Sequence, residues 1–172
     1  MGHSFGANLT LEAGLLTNNV RKLLLYEPPL NIPDFQIVPG GLIDPVSNLI
    51  NDGKKEQALT HFYELIAIPA TEIAQMQTLP DWDERVESAH LLRREIHVME
   101  NYFFDEAKYS NFPIETLFLI GEIDKDFWND VLKKLDDTLL DFSSEMVPGQ
   151  GHMAMMSAPD LFVDSVSRFF SE

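Results

Sequence analysis

Apolar residues follow two patterns along this chain. Some form short continuous runs closed by proline or glycine, the pattern of buried strands; others return every three or four positions, the pattern of amphipathic helices. Residues 5–16 (FGANLTLEAGLL) are of the helical kind, with Leu9, Ala13 and Leu16 on one face and Thr17-Asn18-Asn19 as the exit. Residues 20–26 (VRKLLLY) are of the strand kind, too short for a helix and stopped by Glu27-Pro28-Pro29, because proline cannot continue a central ladder. Residues 30–43 are a Pro- and Gly-rich loop. From 44 to about 103 the texture is helical. Ala58, Leu59, Phe62, Leu65 and Ile66 share a face of 55–67, and a short helix opens at Pro69 and ends before Pro80. A long helix capped by Asp81 or Asp83 carries Ala89, Leu92, Ile96, Met99 and Phe103. Strand texture resumes at 116–120 (TLFLI), a helix follows over 127–137, and a third strand lies within 139–147. The last helix, 159–170, carries Leu161, Phe162, Val166, Phe169 and Phe170, with Asp160 at its positive end.

Short buried strands alternating with helices predict an α/β fold with about three parallel strands. The long helical stretch between the first two strands predicts an inserted layer. No strand is expected ahead of Ser4, so one edge of the sheet should need covering by a partner. The 172 residues amount to about one domain, and 45% hydrophobic content suits a packed core. Twelve Lys and Arg against 28 Asp and Glu give a formal charge of -16, which argues against nucleic acid and anionic membranes as partners. No apolar run approaches the roughly 20 residues of a membrane-spanning helix. Residues 1–20 lack a basic leader followed by an apolar core, so the expected location is cytoplasmic. The chain has no cysteine, which removes thiolate chemistry and Cys-based zinc sites.

Chemistry is suggested at three places. Gly2-His3-Ser4-Phe5-Gly6 fits G-x-S-x-G, a sharp strand-to-helix turn that presents a serine hydroxyl. The small residues on either side, Gly2 and Gly6, should let strand and helix approach closely. The Phe5 amide, at the head of the helix, should contribute to an oxyanion hole. His152, in a Gly-rich turn after the third strand, is a candidate base. Asp124, just past the second strand, is the candidate carboxylate to orient it, with Asp126 and then Glu122 as substitutes. The alternative roles are local: Asp124 as a helix cap and His152 as a partner of loop backbone. His3 reads as a packing or backbone residue, and Glu27, ahead of two prolines, as a turn former near the pocket mouth. His61, His90 and His97 lack metal-site spacing with carboxylates, and no metal or organic cofactor is expected. Trp82, Tyr102, Phe103, Phe104 and Met99 read as core, with a pocket lining as the second reading. Met153, Met155 and Met156 offer flexible apolar surface beside His152.

Taken in order, GHSFGA at 2–7, LLLYEPPL at 23–30, PIETLFLIGEID at 113–124, VPGQGHMAM at 147–155 and APDLFVDSVSRFF at 158–170 resemble the C-terminal portion of capped α/β-hydrolase-fold proteins. The resemblance covers nearly all of residues 1–172. It implies an incomplete α/β-hydrolase fold in which 35–110 is a helical cap insertion that shapes substrate choice. It also implies a Ser4-Asp124-His152 triad acting on a small or medium acyl substrate such as an ester. The family's strands ahead of the elbow, and its second oxyanion donor, are expected from a longer parent chain, a separate polypeptide or a second copy in an oligomer. The competing reading is an inactive hydrolase-like fragment serving as an interaction or oligomerisation module.

Overall fold

A computed structural model describes residues 1–171. The chain divides into two compact units: Met1–Ile37 together with the chain from Phe103 onward, and Val38–Tyr102.

The first unit is built on a four-stranded parallel sheet in the order β1 (Gly2–His3), β2 (Lys22–Tyr26), β3 (Glu115–Gly121) and β4 (Phe142–Val147). The expected three strands are present as β2, β3 and β4. A fourth precedes Ser4, correcting the expectation that no strand leads into it. β1 has only two residues, too few to show a pattern of its own, and it exists because Gly2 and His3 pair with Leu25 and Tyr26. Apart from their first residues, β2 and β3 are buried throughout, as strands covered on both faces must be. β4 exposes Ser143, Ser144 and Met146, the polar-leaning composition of an edge strand.

Helices close both faces of this sheet. α10 (Pro159–Ser171) lays Phe162 and Phe169 against Leu24, Tyr26, Leu117, Leu119 and Val147. The strand residues in that cluster alternate because successive side chains point to opposite faces. Trp128 meets Phe118 with ring centroids 5.6 Å apart, at the end of a 3-10 segment (Glu122–Trp128) that leads into α8 (Asn129–Thr138). The helix expected over 127–137 therefore starts later as α-helix, after a tighter turn. α1 (Phe5–Gly14) connects β1 to β2, the short α7 (Glu106–Tyr109) precedes β3, and α9 (Ala154–Ser157) precedes α10.

The second unit is helical and interrupts the β2–β3 connection. It comprises α2 (Ile43–Asn51), α3 (Lys55–Leu65), α4 (Ala70–Met76), α5 (Trp82–Ser88) and α6 (Leu92–Asn101). Val46, Ala58, Leu59, Ile73, Met76, Trp82, Ile96 and Met99 are buried, so Trp82 and Met99 are core residues. The long helix expected from Asp81 or Asp83 is broken by a 3-10 turn (Ala89–Leu91). Asp81 sits at the N-cap of α5, but its carboxylate pairs with Arg85 instead of capping an amide. Phe104 is buried in the first unit, stacked on Tyr109 at 4.9 Å, while Phe103 is 40% exposed. Among the described residues no helix is long and apolar enough to cross a membrane.

The two glycines of the serine motif are not equivalent. A methyl group on Gly2 would stand 2.4 Å from the Gly6 carbonyl oxygen and 2.6 Å from the Ala7 Cα, both backbone atoms of α1. At Gly6 it would meet nothing within 4 Å, so only Gly2 is required by the close approach of strand and helix. Gly2→Ala is expected to destabilise the fold by about 1–3 kcal/mol through overpacking. Gly6→Ala should be neutral or stabilising by up to about 1 kcal/mol, as alanine is the better helix former. Urea denaturation midpoints measure both, and equal effects at the two positions would show this distinction to be mistaken.

Candidate active site

The site gathers at the carboxyl ends of β1, β2, β3 and β4. Ser4 directly follows β1 with φ 51° and ψ -130°, a conformation that costs an L-residue energy and must be held by its surroundings. Two hydrogen bonds hold it: the Ser4 N–H donates to the Tyr26 carbonyl at 2.8 Å, and the Ser4 carbonyl accepts from the Ala7 N–H at 2.8 Å. Phe5 follows as the first residue of α1, where backbone amides have no intrahelical acceptor and face incoming negative charge.

His152 lies between β4 and α9, with its side chain 17% exposed. Its Nδ1 is 2.6 Å from the Glu27 Oε2. Glu27 directly follows β2, also has positive φ (45°), and is 1% exposed. Its second oxygen, Oε1, accepts the Gly121 N–H at 2.7 Å, and its own N–H donates to the Leu119 carbonyl at 3.1 Å. Both carboxylate oxygens are thus acceptors, as an ionised carboxylate requires. The Nδ1–H of His152 points to Glu27, which leaves Nε2 with its lone pair free. The approach depends on Gly121, where a methyl group would stand 2.4 Å from the Gln150 carbonyl oxygen and 2.6 Å from the Gly151 Cα. No hydrogen bond joins the Ser4 hydroxyl to His152, and such contacts commonly tighten only when substrate is bound.

No protein-family model matches the sequence, and no curated protein matches it. Solved structures do. The chain is similar to an α/β hydrolase from Sphaerobacter thermophilus, with TM-score 0.77, 27% identity, and coverage of 98% of this chain and 65% of that one. It is similar to an esterase from Exiguobacterium antarcticum at TM-score 0.72 and 19% identity, covering 99% and 65%. It also resembles MGS-M2, an α/β hydrolase from a Medee basin deep-sea metagenome library, at TM-score 0.70 and 18% identity, covering 99% and 64%. The chain has an α/β-hydrolase superfamily fold. It spans just under two thirds of the length of these relatives.

Within this hydrolase fold, the sequence candidates are placed as follows. Ser4 follows β1 and the His152 loop follows β4, at the two edges of the sheet, and that loop reaches back so that the His152 ring stands 4.5 Å from the His3 ring beside Ser4; Phe5 heads the helix behind Ser4. Asp124 is not the residue bonded to His152: that position belongs to Glu27, read from the sequence as a turn former. Asp124 sits nearby in the 3-10 turn after β3. Its carboxyl is shifted above the usual range, by desolvation first and then by the like charge of Glu27, against the opposing pull of His152. Glu122 accepts the Gly149 N–H at 2.8 Å and so braces the loop before His152, while Asp126 is exposed. His61, His90 and His97 make separate local contacts in the helical unit: His61 is 3.6 Å from Glu64, the His90 ring meets the Glu87 carbonyl, and the His97 carbonyl accepts from Asn101. Met155 packs against the core under α10. The signal for Glu27 was available: it is a lone carboxylate just past a fully apolar strand, the same strand-end rule that singled out Asp124 and His152.

His3 takes the backbone role. Its Nε2 donates to the His152 carbonyl at 2.9 Å, and burial, reinforced by the charge on His152, pushes its imidazole down to about 3. Folded His3 therefore stays neutral in a range where unfolded His3 binds a proton. Unfolding takes up that proton, so stability falls as pH drops from 6.5, the ordinary value, toward about 3. The raised carboxyl of Asp124 acts in the opposite sense, so His3 must be isolated by comparison with His3→Gln, which cannot titrate. Wild type should lose more than about 1 kcal/mol relative to His3→Gln between pH 6.5 and 5. A difference in urea stability that does not change with pH would contradict the buried neutral state of His3.

Proposed function

We propose that the protein is a serine hydrolase acting on an ester or related acyl compound, with Ser4 as nucleophile, His152 as general base and acid, and Glu27 as the carboxylate that orients His152. The observation that carries this reading is the 2.6 Å contact between buried Glu27 and His152 Nδ1, the arrangement that orients a basic imidazole, in a chain whose serine sits in a strained turn after β1. His152 Nε2 takes the proton from the Ser4 hydroxyl as its oxygen attacks the substrate carbonyl carbon. The Phe5 N–H stabilises the negative oxygen that results. When the carbonyl re-forms, the ester bond breaks and the imidazolium gives its proton to the departing alcohol. Water, deprotonated by the same Nε2, then attacks the acyl-enzyme, the acid leaves and Ser4 regains its proton. Glu27 stabilises the imidazolium throughout without taking its proton.

The match to an esterase and to other hydrolases supports this reaction class. Asp124 is assigned a lesser part, as a second negative group near the imidazolium. The tests are covalent and site-resolved. A fluorophosphonate probe should label Ser4, and Ser4→Ala or His152→Ala should abolish labelling. Glu27→Gln is expected to slow labelling by about 100- to 10,000-fold, and Asp124→Asn by less than about 10-fold. The opposite order would return the orienting role to Asp124. No labelling of the folded, monodisperse chain would favour the inactive interaction module.

A further inference from the structure

Register places His3 of β1 beside Tyr26 of β2, and paired residues of neighbouring strands project from the same face. Their rings stack with centroids 5.2 Å apart and planes 29° apart. Each ring carries a donor to the loop that bears His152. The Tyr26 hydroxyl donates to the Gly151 carbonyl, and the His3 Nε2–H donates to the His152 carbonyl at 2.9 Å. These carbonyls are consecutive, and they lie in a stretch between β4 and α9 that has no helix or strand of its own to satisfy them. The Tyr26 oxygen also accepts the Ala154 N–H at 3.4 Å, so one hydroxyl ties Gly151 to the start of α9.

Because a carbonyl can only accept, His3 holds its proton on Nε2 in the neutral tautomer. That neutrality matters, since the His152 ring is 4.5 Å away and becomes positive whenever it takes a proton from Ser4. His3 also immediately precedes Ser4. The strand that carries the nucleophile therefore holds the backbone of the base directly, and Tyr26, which accepts the Ser4 N–H through its own carbonyl, holds both sides at once.

We propose that His3 and Tyr26 are positioning residues: a two-strand clamp on the consecutive carbonyls of Gly151 and His152 that sets the distance from the His152 Nε2 to the Ser4 hydroxyl. The proposal rests on Ser4 and His152 being nucleophile and base, and neither clamp residue touches the reacting atoms.

Three substitutions separate the donors from the rings. Tyr26→Phe removes a hydroxyl and keeps the ring, His3→Phe removes the donor and keeps a ring, and His3→Gln keeps an N–H near the position of Nε2. Two readouts are compared on the full chain: fluorophosphonate labelling as a function of probe concentration, and amide hydrogen exchange across 150–154. Tyr26→Phe and His3→Phe should each slow labelling at saturating probe by about 10- to 100-fold while leaving the half-saturating concentration within about twofold, the signature of a misplaced base. Exchange at 150–154 should rise by about 10-fold with the amides of β3 unchanged, a local opening. His3→Gln should restore both to within about threefold of the unmodified chain. The clamp is overturned if the two Phe variants label at the normal rate, if His3→Gln is as impaired as His3→Phe, or if exchange rises equally through β2 and β3. Should the unmodified chain fail to label at all, the hydrolase reading falls, and the exchange result alone decides the clamp: unchanged protection at 150–154 would sink it.

Discussion

A carboxylate that is 1% exposed must be fully satisfied, because an unpaired charge in a protein interior is among the most costly arrangements a fold can contain. Glu27 meets that demand from two directions, through the Gly121 amide at the end of β3 and His152 in the loop after β4. One side chain thereby joins the ends of three strands. The requirement propagates outward. The Glu27 oxygen reaches the Gly121 amide where the 150–151 backbone crosses the end of β3, and that crossing is possible only because Gly121 has no side chain in its path. The positive φ of Glu27 follows from the same need, since the chain must turn sharply off β2 for its carboxylate to face inward. Pro28 and Pro29 then carry the chain away, and the Pro29 carbonyl is held by buried Asn8 of α1 at 3.0 Å.

This explains why parts of the site were legible in the sequence and one part was not. Ser4 follows Gly2, where the fold has no room for a side chain, and His152 follows a turn that holds Gly149 at φ 66°, so their surroundings give them away. Glu27 is flanked by strand on one side and prolines on the other, and the prolines offered a sufficient local reason for the residue. Its partner is 125 positions away, and no local periodicity reports a contact at that separation. Asp124 drew the acid role because it occupies the equivalent place one strand later. Structure brings it near His152 but gives the hydrogen bond to the residue that is fully buried.

The fold shows a similar division. Strands β2 and β3 were evident because burial on both faces makes their sequences continuously apolar. β1 was not, since two residues cannot display alternation and its existence depends on a neighbour. The apolar line from Ala89 to Phe103 suggested one uninterrupted helix, yet a 3-10 turn divides it. Three residues at the 3-10 repeat advance the helix phase by only about 60° relative to an α-helix, so buried residues on both sides keep a common face and the pattern conceals the break. Gly6 erred in the other direction: it fits the serine motif, but the space around it would accept a side chain.

Charge gives the arrangement its chemical sense. The chain is strongly acidic, and the ionisable neighbours that shape Asp124 are Glu27 and His152, with no lysine or arginine among them. His152 thus has two carboxylates for neighbours, Glu27 in a hydrogen bond and Asp124 close by. His3 is also beside His152, and burial keeps His3 neutral well below the pH at which a free imidazole would charge. The same burial that prevents His3 from acting as a base makes it useful as a donor, because a neutral Nε2–H can hold the His152 carbonyl without repelling the ring beside it. Two histidines 4.5 Å apart thus have distinct surroundings: His3 is neutral and donates to a backbone carbonyl, while His152 is hydrogen-bonded to the buried carboxylate of Glu27.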